Sequence, residues 1–160
     1  MVTVCELFRT IYNEMTKALK GKYQVKNKEK YKGNFNNVDY RSSWELHFMN
    51  WADKNPDVLQ WSSEEIVIPY KSPIDGKWHR YFPDIWMRTA KGTFLIEIKP
   101  FKETQEPKKR SRVTKKYLYE VKTWGINSSK WSAALEYCKD RQWKFQLITE
   151  KELKLEKHYK

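Results

Sequence analysis

Seven consecutive residues, 93–99, alternate without a break, with Phe94, Ile96 and Ile98 on one side of an extended chain and Thr93, Leu95, Glu97 and Lys99 on the other. The triplet Ala90-Lys91-Gly92 supplies turn chemistry before them and Pro100 stops them, so the period of two marks a strand with defined ends. A strand of this pattern places Glu97 and Lys99 on one face, an acid and a base in one small region of space. Residues 78–88, rich in aromatic and β-branched side chains, lie just upstream and contain Pro83-Asp84. They read as the preceding strand of a hairpin. Counting outward from the turn, Asp84 falls opposite a position near Glu97, to within a register step, and opposed side chains on one face of antiparallel strands approach to roughly 5 Å.

Two carboxylates that close repel each other unless a cation joins them. Hydrolysis of a phosphodiester asks for such a cation, together with an activated water and relief of the charge that builds on phosphorus. Magnesium is a hard ion that prefers oxygen ligands, so Asp84 and Glu97 are the expected metal ligands. Lys99 is the expected partner of the water or of the attacked phosphate. Glu45 is a further candidate for the acid set, on an upstream helix. It also completes Ser42-Ser43-Trp44-Glu45, which fits a capping box in which the glutamate serves only the helix start. The two roles are compatible, because a first-turn glutamate is rigid. An isolated Glu-x-Lys on a strand carries little information, and an exposed face laced with a surface ion pair is the plain alternative. Its weight here comes from Pro83-Asp84 one hairpin earlier and Glu45 before that, in this order.

The remaining chain bounds the reading. At 160 residues there is room for one core and little more. Eight Trp, ten Tyr and seven Phe compensate for a modest apolar content, since large rings bury much area per residue. Thirty-two Lys and Arg against twenty Asp and Glu leave a formal charge of +12, which points to a polyanionic partner, nucleic acid before membrane. No apolar run approaches the roughly 20 residues that span a bilayer, and the first 20 residues mix charges into their apolar positions, unlike a secretory signal. Cys5 and Cys138 show no pairing pattern, and the three histidines complete no zinc set with them, so a reduced, intracellular protein is expected.

Residues 4–19 show helical spacing through Cys5, Phe8, Ile11, Tyr12, Met15 and Leu19, with Gly21 as a stop. Residues 20–37 lack a period and read as a basic loop or arm. A second helix is expected from Ser42 or Ser43 to Asn55-Pro56, a strand over 64–70, strong turn chemistry at Ser72-Pro73-Ile74-Asp75-Gly76, and then the hairpin. Residues 102–116 form a mobile basic loop. Two helices follow, one through Val113, Tyr117, Leu118 and Val121, the other from about Ser129 to Cys138, and residues 143–149 alternate as a strand. The order defines an α/β or α+β domain with a mixed central sheet flanked by helices. It divides into an N-terminal helix and basic arm (1–26), one catalytic domain (27–150) and a charged tail (151–160).

Arg41, Arg80, Lys102, Lys108, Lys109, Arg110, Arg112 and Lys130 are candidates for DNA phosphate, with surface solvation as the alternative. His79 competes poorly as a general base, because Lys99 and a metal already supply what hydrolysis needs. Trp44, Trp51, Trp61 and Trp86 fit core packing better than base stacking.

The order Glu45, Pro83-Asp84, Glu97-Ile98-Lys99 resembles the PD-(D/E)XK nuclease superfamily, the restriction-endonuclease-like fold. More closely, Lys30-Tyr31-Lys32-Gly33, the block from Tyr40 through Glu45, Trp61-Ser62-Ser63-Glu64-Glu65, Ile68-Pro69-Tyr70, Gly76-Lys77 and the block from His79 through Asp84 resemble the head completion nucleases of T-even-like tailed phages. The similarity spans roughly residues 27–150 and leaves the first 20 unmatched. The resemblance implies a magnesium or manganese ion and cleavage of double-stranded DNA late in head assembly, before the tail joins. It implies Asp84, Glu97 and Glu45 as metal ligands, Lys99 as the active-site lysine, capsid or portal proteins as partners, and a place in the host cytoplasm or with the virion. A non-catalytic DNA-end or capsid-binding module on the same fold is the alternative from another class, and a basic RNA-associated protein is a third.

Overall fold

The computed structural model describes residues 20–151; the helix expected over 4–19 and most of the charged tail lie outside them. The central sheet has four strands in the order β3 (Val58–Ser63), β6 (Ile85–Thr89), β7 (Gly92–Ile98) and β8 (Lys144–Ile148). The first three run antiparallel, and β8 adds in parallel beside β7 through the crossover helix α2 (Lys115–Arg141). The sheet is mixed, as parallel addition through a helix requires. Among the described residues two ribbons complete the β structure, β1 (Gly21–Tyr23) with β2 (Val38–Tyr40), and β4 (Ile68–Lys71) with β5 (Trp78–Tyr81).

The two faces of the sheet carry separate cores, and the period of two decides which residue enters which. Ile85, Met87, Ile96 and Ile98 point to one side, where Phe48, Met49 and Ala52 of α1 (Ser43–Lys54) cover them together with Trp61. Trp86 and Leu95 point to the other, against Trp131, Ala134 and Cys138 of α2 and against Ile68, Tyr70 and Tyr81 of the β4–β5 ribbon. The tryptophans behave as core residues: Trp61 is fully buried, Trp86 is 6% exposed, and Trp44 and Trp51 pack at the margin of the first core.

Several expectations need correction. Residues 58–63 form β3, a strand the sequence pattern hides because Gln60, Ser62 and Ser63 dilute its apolar alternation. The strand expected over 64–70 begins only at Ile68, and the one expected over 78–88 is two strands, since Phe82-Pro83-Asp84 interrupts the ladder where Pro83 lacks an N–H. The three successive strands expected over 64–99 are thus a separate ribbon, β4 with β5, followed by the β6–β7 hairpin within the central sheet. The two helices expected after residue 113 are one, because Gly125 and Ser128-Ser129 sit inside α2 without ending it. The segment before α2 holds a short 3₁₀ turn, Phe101–Thr104, and Thr114 caps the helix by accepting the Tyr117 N–H at 3.1 Å.

Residues 20–37 are not a loose arm. Tyr23 and Val25 are buried in the first core, and Asp53, fully buried, accepts the backbone N–H groups of Lys26 and Asn27 and the Tyr23 hydroxyl. The Lys30 ammonium donates to the carbonyls of Ala52, Asp53 and Asn55 at 2.8–2.9 Å. It closes the C-terminal end of α1, where orphan carbonyls and the helix dipole favour a cation.

Candidate active site

The face of the sheet that carries Trp86 and Leu95 becomes polar at one end. Ile85 pairs with Ile96 and Trp86 with Leu95, so one step beyond the ladder Asp84 faces Glu97. Asp84 is held there by two backbone bonds. Its carbonyl accepts the Glu64 N–H at 3.2 Å, tying it to the end of β3, and its carboxylate Oδ2 accepts the Ile98 N–H at 2.8 Å. The break at Pro83 removes β6 as a partner for that N–H, and the side chain of the next residue takes its place. One local departure from the ladder therefore both satisfies a buried donor and aims an acid.

Glu97 is 4% exposed, and both its oxygens are engaged. Oε2 accepts the Tyr81 hydroxyl at 2.7 Å, and Oε1 lies 3.2 Å from the Lys99 ammonium. Lys99 is itself fixed by its backbone, whose N–H continues the parallel pairing to Ile148 at 3.0 Å. Burial works against the charged form of Lys99, yet the carboxylates of Glu97 and Asp84 outweigh it and raise its pKa above the ordinary value. Asp84 is pushed the same way for a different reason: burial first, and the Glu97 charge second, hold its carboxyl well above the usual carboxylate range, against the pull of Lys99 and the Ile98 N–H. Two acids thus sit beside one ammonium, and burial together with the Glu97 charge disfavours ionised Asp84.

These groups line a cleft of about 360 Å³ together with Arg41, Glu64, Arg80, Phe82, Tyr81 and Lys130. Lys130 reaches it from α2, its ammonium 5.6 Å from the ring centres of both Tyr70 and Tyr81. Burial lowers the Lys130 pKa, with Glu97 acting in the opposite sense. Arg41 enters as an ion pair, its guanidinium 2.8 and 3.1 Å from the two oxygens of Glu64. Arg80 stacks over Phe82 at 4.9 Å.

Of the residues singled out from sequence, the structure gathers Asp84, Glu97, Lys99, Arg41, Arg80 and Lys130 in the cleft. Glu45 stands just outside it. Its Oε2 accepts the Arg41 N–H at 2.9 Å and its Oε1 lies 3.1 Å from the Ser42 hydroxyl, while the Ser42 side chain accepts the Glu45 N–H. The helix-start role is fulfilled, and Glu45 still contributes charge to the raised pKa of Asp84 and of Glu64. Lys102, Lys108, Lys109, Arg110 and Arg112 lie on the exposed approach to α2 and not in the cleft, with Arg110 paired to Glu120 at 2.9 Å. His79 sits on the β4–β5 ribbon, its ring nitrogen 2.8 Å from Asp75.

Three cleft residues, Tyr81, Phe82 and Glu64, were not singled out from sequence. Tyr81 lies inside a block that carries the family resemblance, but nothing in its spacing announces a bond to Glu97, sixteen residues on. Glu64 reads as the start of a strand; it instead turns out of β3 with φ 52°, a left-handed conformation that is unusual for a non-glycine residue. Burial raises its carboxyl, which Arg41 opposes.

A divalent cation is tested by this donor set. Among the described residues no three Asp, Glu, His or Cys side chains are drawn together as a ready-made ion cage. Asp84 and Glu97 nevertheless face each other, deeply set, with one ammonium beside Glu97 and, when both acids are ionised, a surplus of negative charge. Oxygen donors with that surplus suit a hard cation.

The family described as TnsA-like endonuclease N terminal matches residues 55–150, which hold β3 through β8 and every cleft residue except Arg41. The chain belongs to this family, a restriction-endonuclease-like fold. It is 46% identical over 138 residues to the head completion nuclease of Enterobacteria phage T4, an alignment covering 83% of this chain and 92% of that protein. No solved structure matches the chain.

Proposed function

We propose that this protein is a metal-dependent deoxyribonuclease that hydrolyses phosphodiester bonds of double-stranded DNA during phage head completion, after packaging. The observation that carries the reading is the opposition of Asp84 and Glu97 across β6 and β7, with the Lys99 ammonium beside them. Asp84 and Glu97 would hold a magnesium or manganese ion, and Glu45, outside the cleft, would join the set only by giving up its bonds to Arg41 and Ser42. The ion supplies a polarised phosphate and a water of lowered pKa. Tyr81 orients Glu97 by donating to one oxygen and leaves the other to Lys99. Lys99, whose ammonium stays charged at neutral pH, offsets charge growing on the attacked phosphate. Arg80 and Lys130, both lining the cleft, would serve as phosphate contacts, and the exposed cations of residues 102–116 would neutralise backbone further along the duplex.

The role in head completion rests on the kinship with the phage T4 protein, and portal or capsid proteins are the partners this reading implies. No helix among the described residues is long and apolar enough to cross a membrane. The test is cleavage of plasmid DNA in magnesium by the full chain. Glu97→Ala and Lys99→Ala should abolish cleavage while keeping DNA binding near normal, and cleavage at the native level by either variant refutes the assignment.

One observation favours a second reading, a non-catalytic DNA-end or capsid-binding module: Glu97 already has both oxygens occupied by protein donors. Calorimetric titration with manganese separates the two. A nuclease takes up the ion at its carboxylates, and a module does not.

A further inference from the structure

The β4–β5 ribbon carries a feature that cleavage of an intact duplex does not use. Its register sets Lys71 opposite Trp78 and Pro69 opposite Arg80, so these four share the outward face, and Phe82 continues it toward the cleft. Trp78 is 72% exposed, Phe82 37%, and Lys71 and Arg80 are exposed as well. Cation and ring thus alternate along one surface that ends at Arg80 and Phe82, both of which line the cleft of Asp84 and Glu97.

The ribbon is braced, so the ring is presented and not merely loose. Its inward face, Ile68, Tyr70 and Tyr81, is buried against α2. Its turn is closed by Ser72 N–H to the Lys77 carbonyl and Gly76 N–H to the Ser72 carbonyl, both at 2.9 Å, and by Asp75, which accepts the Lys77 N–H at 3.0 Å. Gly76 takes the φ of +66° that the turn needs.

The occupant is decided by what each surface offers. A closed duplex presents phosphates and groove edges, with base faces already stacked inside, so it can satisfy Lys71 and Arg80 but offers nothing flat to Trp78. An unpaired strand offers both, a backbone for the cations and base faces for the rings. We infer that the outward face of the β4–β5 ribbon binds unpaired nucleotides beside the scissile duplex, with a base stacked on Trp78, and that the enzyme prefers forked or frayed DNA ends over continuous duplex. The inference rests on the nuclease reading only for the role of the neighbouring cleft; the ribbon's own contact is with DNA.

The test uses the full chain without divalent metal, so that binding is read apart from cleavage. One probe is a forked duplex with 2-aminopurine at the first unpaired position, the other a relaxed, covalently closed circular duplex. Base–aromatic stacking is worth about 1–3 kcal/mol, which corresponds to roughly 5- to 150-fold in affinity. Trp78→Ala should lose affinity for the fork within that range, release the 2-aminopurine quenching seen with the native chain, and bind the circle unchanged. Trp78→Tyr should retain most of the fork preference. Fork binding by Trp78→Ala equal to the native chain, or an equal loss on both probes, overturns the inference. A chain that prefers the fork through Trp78 yet cleaves nothing in magnesium would sustain this inference and defeat the nuclease reading alone.

Discussion

The two charged regions of this molecule are built on opposite principles. At the ends of β6 and β7 each ionisable group is held in place by a specific bond: Asp84 by the Ile98 N–H, Lys99 by the Ile148 carbonyl, Glu97 by the buried Tyr81 hydroxyl. On the approach to α2, Lys102, Lys108, Lys109 and Arg112 are exposed, and Arg110 has one ion pair with Glu120. Chemistry on a phosphate needs positions good to a fraction of an ångström, whereas attraction to a polyanion needs only net charge within a Debye length. One region is placed; the other is merely supplied.

Substitutions in the two regions should therefore fail differently. Removing Glu97 or Lys99 is expected to lower the rate of DNA cleavage by at least the order of 10²–10³ that loss of a transition-state charge partner costs, with little change in affinity measured by filter binding. Tyr81→Phe should reduce the rate by roughly tenfold, since a hydrogen bond to a charged group is worth about 1.5–3 kcal/mol and Glu97 would keep only Lys99. Replacing Lys108 and Lys109 by Gln should weaken binding evenly across DNA sequences and lower the salt slope by about one for each phosphate no longer neutralised, while the rate at saturating DNA stays at the native value. A tenfold rate loss from the lysine pair at saturation would erase the distinction.

The smallest effect concerns stability. Asp84 has a folded-state pKa above its unfolded value, so the folded chain retains a proton that the unfolded chain releases, and stability declines as pH rises from the ordinary aspartate value toward the raised one. Asp84→Asn should remove that decline and raise the melting temperature of the metal-free protein at neutral pH by a few degrees, about 2–4 °C per kcal/mol for a chain of this size. It should do so while abolishing cleavage. Thermal melts from mildly acidic to neutral pH would show it, and a variant less stable than the native chain at neutral pH would contradict it.

The legible part of the fold was that written in local alternation. The period of two over 93–99 fixed which residues of β7 share a face, and with it the company of Glu97 and Lys99. The turn at 90–92 set the β6–β7 register closely enough to bring Asp84 opposite. Capping chemistry at Ser42 and the stop at Asn55-Pro56 bounded α1. What stayed hidden depends on interactions distant in sequence. The strand β3 is stabilised by its position between β6 and the first core and not by its own pattern. Lys30 looks like any other basic surface residue until the carbonyls of Ala52, Asp53 and Asn55 surround it. Glu64 and Tyr81 enter the cleft only because β3 ends beside Asp84 and a ribbon packs on α2. Two helices were expected across 113–138, but tertiary packing of α2 on the ribbon and β8 carries one helix through Gly125 at a cost of about 1 kcal/mol.

The claim on which all this turns is that Asp84 and Glu97 jointly grip a divalent cation. Crystals soaked in manganese, with anomalous scattering used to place the ion, test it directly. An ion with oxygens of both Asp84 and Glu97 within about 2.0–2.3 Å is the predicted result. Anomalous density elsewhere, or none while Lys99 keeps its place on Glu97 at saturating manganese, would contradict it.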